Sequence, residues 1–403
     1  MSKKAVFWLY REIPKLIKEG IISKTSGDKL KEYYGPIDQK SNTLLFLIIT
    51  GIFGAILIGL GIISLLAHNW ENLSRPIRTL ISLLPLMIAQ LAAGWIIFKG
   101  IKSTGLREGV ATFLSLMICS SIALISQTYN ISGDTASFIL TWMLLTIPLV
   151  YLMRVTVPAI IYVIGITCWS WHVYNDVLQT SLVWPLIALV VPHFIHIKRK
   201  KDYDNRITML SLVLSVCIPI AMGSSLTKLP GMFWVLTYTS VYSIFFLAGI
   251  LSFHTRKELW KVPFIFVGGI SSYVTAFILS YKWYGKFKGW ENFGSLVLKP
   301  GFIVTAIIFS ISIWLIIKAI KERRILASLF GGIPILALCG YYNFTLGDVF
   351  LPPFLFSTYL LAAGILTTYH GTKNNELGLV NLGIFMTGAW VMARFFDSDM
   401  GFI

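Results

Sequence analysis

Two aspartates carry the most suggestive spacing in the chain. Asp134 closes the segment "YNISGD" and Asp348 closes "YNFTLGD", each a polar island between long apolar runs. Both islands read Tyr-Asn, an apolar residue, Ser or Thr, and then Gly-Asp, with Leu346 added before the Gly in the second. They are Tyr129, Asn130 and Asp134 in one, and Tyr342, Asn343 and Asp348 in the other. Two carboxylates brought together by related elements can hold a cation or divide acid and base work between them. The plainer role is local: Gly makes the turn and Asp caps the helix that follows. An intramembrane aspartyl protease would need GxGD inside a span and a Tyr-Asp partner. Here both tyrosines precede Asn, so that chemistry is set aside.

A second pair of matched triplets, Trp-Glu-Asn, falls at Trp70, Glu71, Asn72 and at Trp290, Glu291, Asn292. Tryptophan at a span boundary is ordinary interfacial behaviour. Glu71 with Arg75 and Arg78 reads either as an ion-paired loop or as two guanidiniums available to an anionic head group. A third reading makes an outer-loop acid the base of a lipid-linked glycosyl transferase, but the chain lacks the large outer domain such enzymes carry. Six histidines lie mostly at span ends, and no carboxylate or Cys stands at metal spacing from His193 and His196, so no metal is expected. Four cysteines, Cys119, Cys168, Cys217 and Cys339, sit far apart in apolar runs and behave as small hydrophobes. GxSxG, HExxH and Walker patterns are absent, as is GxGxxG in a strand–helix setting, so no catalytic residue or cofactor is assigned.

These residues hang on an apolar frame. Of 403 residues, 56% are hydrophobic and 13% charged, about half the charge of a soluble domain, and the mean hydropathy is +0.75. Thirteen apolar runs between 44 and 393 are each long enough for a membrane helix. The first starts at Leu44, too late and too long for a cleaved signal peptide. Before it, Val6, Leu9, Tyr10, Ile13, Leu16 and Ile17 recur on one helical face. Pro14 either kinks that helix or starts a fresh turn, Gly20 ends the pattern, and Ser23 can cap a second short helix ending at "YYGP". Residues 1–43 therefore read as an amphipathic helical pair. It either lies at the lipid boundary or docks a cytoplasmic protein partner.

The net charge of +16 is a matter of orientation. With the N-terminus inside, 26 of the 34 Lys and Arg fall on the cytoplasmic side, as the positive-inside rule requires. The basic excess therefore points to the lipid bilayer, and nucleic acid is not expected. The outer loop with Lys282, Lys286, Lys288 and Lys299 deviates, and the "RVTV" hairpin after Met153 is the weakest crossing. No Asp, Glu, Lys or Arg lies near a span centre, and Gln90 is the most polar residue there. Ion-coupled pumps usually carry a charge in that position.

The matched triplets and islands keep order and spacing. Tyr129 lies 59 residues after Trp70, and Tyr342 lies 52 after Trp290. Two apolar runs intervene each time, so runs one to five repeat as runs nine to thirteen in parallel orientation. The expected fold is an all-α, polytopic transmembrane helix bundle of about 13 spans, N-in and C-out. Its parts are a cytoplasmic pair (1–43), membrane repeat one (44–173), central connecting spans (174–261) and membrane repeat two (262–403). The segments "LIKEGIIS", "AHNW" and "QTYNISGD" with Trp142 resemble a family of bacterial predicted membrane proteins described only as a domain of unknown function. The likeness is clearest over residues 10–175. It implies a multi-pass inner-membrane location and no reaction, substrate or catalytic residue. The function expected from the residues is binding or moving an amphipathic, lipid-like solute at the outer face. The rivals are a non-transporting scaffold or envelope sensor acting through residues 1–43, and the glycosyl transferase.

Overall fold

Proline and glycine decide where the apolar runs stay single helices and where they break. The computed structural model describes residues 3–34, 70–199, 205–226, 231–252, 263–281, 300–345 and 351–395. The run at 44–66, the second Trp-Glu-Asn and Asp348 lie outside them. Every apolar run within them is helical, and the described residues contain no strand.

The chain divides into two compact units at Ile77 and Arg78. In the first, α1 (Lys3–Lys18) runs through Pro14, and Gly20 turns the chain at φ 70°. The Ser23 hydroxyl accepts the Ser26 amide at 3.1 Å and caps α2 (Lys24–Tyr34). Ile13 is fully buried. A Cβ on Gly27 would come within 2.9 Å of Ile17 and 3.1 Å of Ile13, so the two helices close on the missing side chain. A 3₁₀ turn follows at Trp70–Asn72.

The second unit holds the bundle. Its helices are α3 (Arg75–Phe98, which starts just before the boundary), α4 (Thr104–Tyr129), α5 (Thr135–Met153) and α6 (Val157–His172), followed by α7 (Val177–Ser181), α8 (Val183–Ala188) and α9 (Val191–Arg199). Then come α10 (Asn205–Ser225), α11 (Gly231–Ser252), α12 (Pro263–Leu279), α13 (Pro300–Lys321), α14 (Ile325–Gly331), α15 (Ile333–Thr345), α16 (Leu351–Lys373) and α17 (Leu377–Phe395). Eight described helical stretches are long and apolar enough to cross a membrane, and four shorter apolar ones accompany them. The protein is an all-α, polytopic, multi-pass membrane bundle.

Burial sorts centre from rim. In α10 and α11, 61% and 56% of the spanning window is buried, against 22% in α3, α4 and α5. Leu91 and Phe98 on α3 are 73% and 87% exposed, an apolar exterior suited to lipid rather than water. One core joins α5, α6, α8 and α10 through Met143, Tyr162, Ile166, Val183 and Leu210. Another joins α11, α13, α14 and α16 through Leu247, Ile316, Phe330 and Ala363.

Hydroxyls supply the polar glue that a membrane interior needs. Ser115 meets Thr146 at 3.0 Å, Ser224 meets Ser170 at 2.7 Å, and Thr237 meets Thr305 at 2.8 Å. The α16–α17 hairpin closes on small residues. A Cβ on Gly383 would sit 2.5 Å from the Thr368 amide nitrogen, and one on Gly371 2.6 Å from that of Val380.

Two of these stretches, Leu178–Ile197 and Leu326–Gly340, carry local breaks. The run at 179–197 forms three short helices, α7 to α9, and the run at 325–341 breaks at Gly332 between α14 and α15. Pro192 and Pro334 each follow a break. Proline lacks an amide proton, and its ring collides with the carbonyl four residues back. At the second break the Ser243 hydroxyl donates to the Gly331 carbonyl at 2.7 Å and satisfies a group the helix has released. The doubtful "RVTV" segment is a tight turn between two packed helices, α5 and α6, with Arg154 left-handed at φ 54°.

Candidate functional site

The polar island closes one end of the α4–α5 hairpin. Tyr129 ends α4, and Asn130 takes the left-handed conformation (φ 52°) that Asn tolerates well. The Ile131 amide donates to the Ser126 carbonyl at 2.9 Å, and the Ser126 hydroxyl donates to the Ile131 carbonyl at 3.0 Å. Asp134 caps α5 by accepting the Ser137 amide at 2.7 Å. The Ser137 side chain, and after it this backbone bond, hold the Asp134 carboxyl below the usual aspartate range. The Tyr129 hydroxyl lies 3.0 Å from the hydroxyl of Thr79, one turn into α3. The island therefore packs beside the turn that carries Arg78.

The depressed pKa has a direction for stability. A carboxyl depressed on folding stabilises above its unfolded pKa, and the contribution fades as pH falls through the folded value. Melting temperature should therefore drop below the ordinary aspartate range by an amount that Asp134→Asn reduces, since Asn caps without titrating. Equal pH profiles for the two proteins, measured by thermal unfolding, would contradict this.

The other expected site residues are placed as follows. Trp70 is buried in its 3₁₀ turn, and Asn72 is exposed there; Glu71 lies between them. Arg75 is exposed at the start of α3, and Arg78 is half-buried. Tyr342 and Asn343 lie in the last turn of α15, with Tyr342 63% exposed. Trp290, Glu291, Asn292 and Asp348 fall outside the described residues, so the meeting of Asp134 with Asp348 falls outside them too. Arg394, in the last turn of α17, donates to the Ser280 carbonyl at 2.8 Å and stacks 5.3 Å over Tyr281.

A second constellation occupies the opposite end of α4 and α5. Glu108, one turn into α4, sends its carboxylate to the start of α6. It accepts the Thr156 amide at 2.8 and 3.0 Å and the Val157 amide at 2.9 Å. Thr156 makes no side-chain cap of its own, so Glu108 supplies the cap from another helix and meets the positive end of the α6 dipole. Arg206 Nη1 at the start of α10 lies 3.7 Å from the same carboxylate, whose side chain is only 14% exposed. His193 is buried alongside, 3.5 Å from the Thr156 hydroxyl.

Beside this carboxylate opens a cavity of ≈ 430 Å³ lined by Lys102, Thr104, Arg107, Arg154, Val155 and Arg206, with Gly100 at its edge. Four cations line it and no acid does. Sequence reading missed the arrangement because Glu108 looked like one acid in a basic loop. No local signal announced it, because Thr156 before "VP" reads as an ordinary Thr-capped helix start, and only the structure shows that its hydroxyl makes no cap. No group of three His, Cys, Asp or Glu placed to hold a metal occurs among the described residues.

Residues 14–159 match a family described as Predicted membrane protein (DUF2157). The match covers a little over a third of the chain and takes in α2 to α5 and the Arg154 turn. No curated protein and no solved structure matches.

Proposed function

We propose that this multi-pass protein holds or moves an amphipathic, lipid-like solute at the Tyr129 end of its bundle, taken as the outer face of a bacterial inner membrane. The observation that carries the reading is the contact between the Tyr129 and Thr79 hydroxyls. It sets a half-exposed Tyr and the exposed Ile131 beside the helical turn of Arg78. Aromatic, apolar and cationic groups at one bundle end suit a molecule with a polar head and an apolar tail. In this reading Asp134 belongs to the same polar face as Arg78 and Tyr129. Native mass spectrometry of the full-length protein extracted from its membrane tests it. Arg78→Gln with Tyr129→Phe should lower lipid retention severalfold, and unchanged retention would refute it.

The same proposal includes about 13 spans, N-in and C-out orientation, and a parallel repeat with the boundaries 44–173 and 262–403. Support comes from the turns. Gly100 after α3 and Arg323 after α13 are both left-handed, as are Arg154 after α5 and Asn375 after α16. In this reading each pair takes the corresponding place in the two repeats. Ile101 and Arg324 each donate to the carbonyl five residues back, as do Val155 and Glu376, which is the Schellman closure. Reporter fusions after Ser132 and Phe344 should both report the outer side. Opposite answers would end the repeat.

The packing of α1 against α2 over Gly27 favours a second reading. A preformed helical pair suits a scaffold or sensor that docks a protein partner. If removing residues 1–40 leaves insertion and phenotype intact, that reading fails.

A further inference from the structure

The cavity at the Arg154 end stands apart from the Tyr129 site. The α4 helix of 26 residues separates the two by about 39 Å, more than the roughly 30 Å hydrocarbon core of a bilayer. Its charges are placed against their own helices. Arg107 lies in the first turn of α4 and Lys102 just before it, while Arg206 opens α10. Neither helix has an acid in its first turn. Cations at helix N-termini oppose the dipole, whereas anions there are favoured.

Glu108 is the carboxylate at hand; it already accepts two amides at the start of α6 and is ion-paired with the Arg206 guanidinium 3.7 Å away. The Arg107 Nε is buried and has no hydrogen-bond partner, an uncommon state for a charged donor. The α4 start also lacks a side-chain cap, since Ser103 makes none. An anion in the cavity would satisfy the guanidinium, the uncapped amides and the excess charge together.

We propose that this cavity binds a phosphate group. Guanidinium forks and a helix N-terminus match tetrahedral phosphate oxygens. The ≈ 430 Å³ volume falls in the range of small-molecule sites, so there is room for the phosphate of a larger molecule. Its source is either the head group of an anionic lipid or a soluble phosphate compound.

The full-length protein in nanodiscs separates the two sources. In discs containing phosphatidylglycerol, native mass spectrometry reads lipid retention. In pure phosphatidylcholine discs, phosphorus NMR reads binding of inorganic phosphate. Arg107→Gln and Arg154→Asn should each weaken the bound species by about tenfold or more. Arg107→Lys should recover part of the loss, and Lys373→Gln should have no effect. Asn375 already occupies a left-handed turn of this protein, so Arg154→Asn keeps the fold even if Arg107→Gln does not. Variant-sensitive retention of phosphatidylglycerol assigns the site to a lipid head group. Variant-sensitive binding of inorganic phosphate assigns it to a soluble compound. Equal binding by wild type and variants, or no binding of either probe, overturns the proposal.

Discussion

Glu108→Ala is expected to destabilise the protein by about 3–5 kcal/mol, as breaking a largely buried, hydrogen-bonded charge arrangement does. Three groups on two helices lose a shared partner at once. The Thr156 and Val157 amides at the start of α6 lose their acceptor, and Arg206 on α10 loses the carboxylate 3.7 Å away. The side chain is 14% exposed, so water replaces it poorly. Glu108→Gln keeps one acceptor oxygen and removes the charge, so it should cost about 1–2 kcal/mol. Unfolding of the purified protein in detergent micelles, followed by circular dichroism, ranks the three proteins. An alanine variant as stable as wild type would mean that α6 needs no cap from α4.

The second large effect is steric. Gly268 on α12 faces the backbone of α11. A Cβ there would lie 2.6 Å from the Phe246 nitrogen and 2.7 Å from the Tyr242 oxygen. These are backbone atoms of a helix at the bundle centre, so no side chain can rotate away. Gly268→Val should force α11 and α12 apart and cost about 3 kcal/mol, the upper end of core overpacking. Gly388 on α17 is the control, because an added Cβ meets nothing within 4 Å. Gly388→Ala should be neutral or stabilising by up to about 1 kcal/mol, from helix propensity alone. The same unfolding assay compares them, and equal stability of the two variants would refute the close approach.

Close packing of this kind answers how membrane helices associate at all. Lipid tails are as apolar as the helix surfaces, so burial of apolar area drives association weakly. Small residues let backbones approach, and hydroxyls then reach across, as Tyr273 does to the Met386 carbonyl at 2.8 Å. The charged ends work differently. There water competes, and a carboxylate such as Glu108 must be shielded and shared among several donors to count.

Much of the bundle was legible in the residues alone. Apolar runs became helices because hydropathy and helical reach are local properties, summed over about 20 neighbouring residues. Ser23, Gly20 and Asp134 were legible for the same reason, since a cap or turn involves atoms two to four residues apart. Arg154 in its hairpin was the weakest crossing on paper. It proved a regular Schellman turn because five-residue closure tolerates a left-handed residue other than Gly.

Other features depend on distance in the chain. Glu108 bonds residues 48 and 49 positions away, and no periodicity within either helix announces that meeting. The cationic lining of Lys102, Arg107, Arg154 and Arg206 comes from three separate loops and helix ends. Local sequence determined that this protein would be helical, apolar outside and capped at its turns, because those outcomes follow from neighbours along the chain. Which charges share an end, which donor is left buried and where a cavity opens were decided by tertiary structure. Those outcomes depend on helices packing in three dimensions, and electrostatic energy follows distance in space.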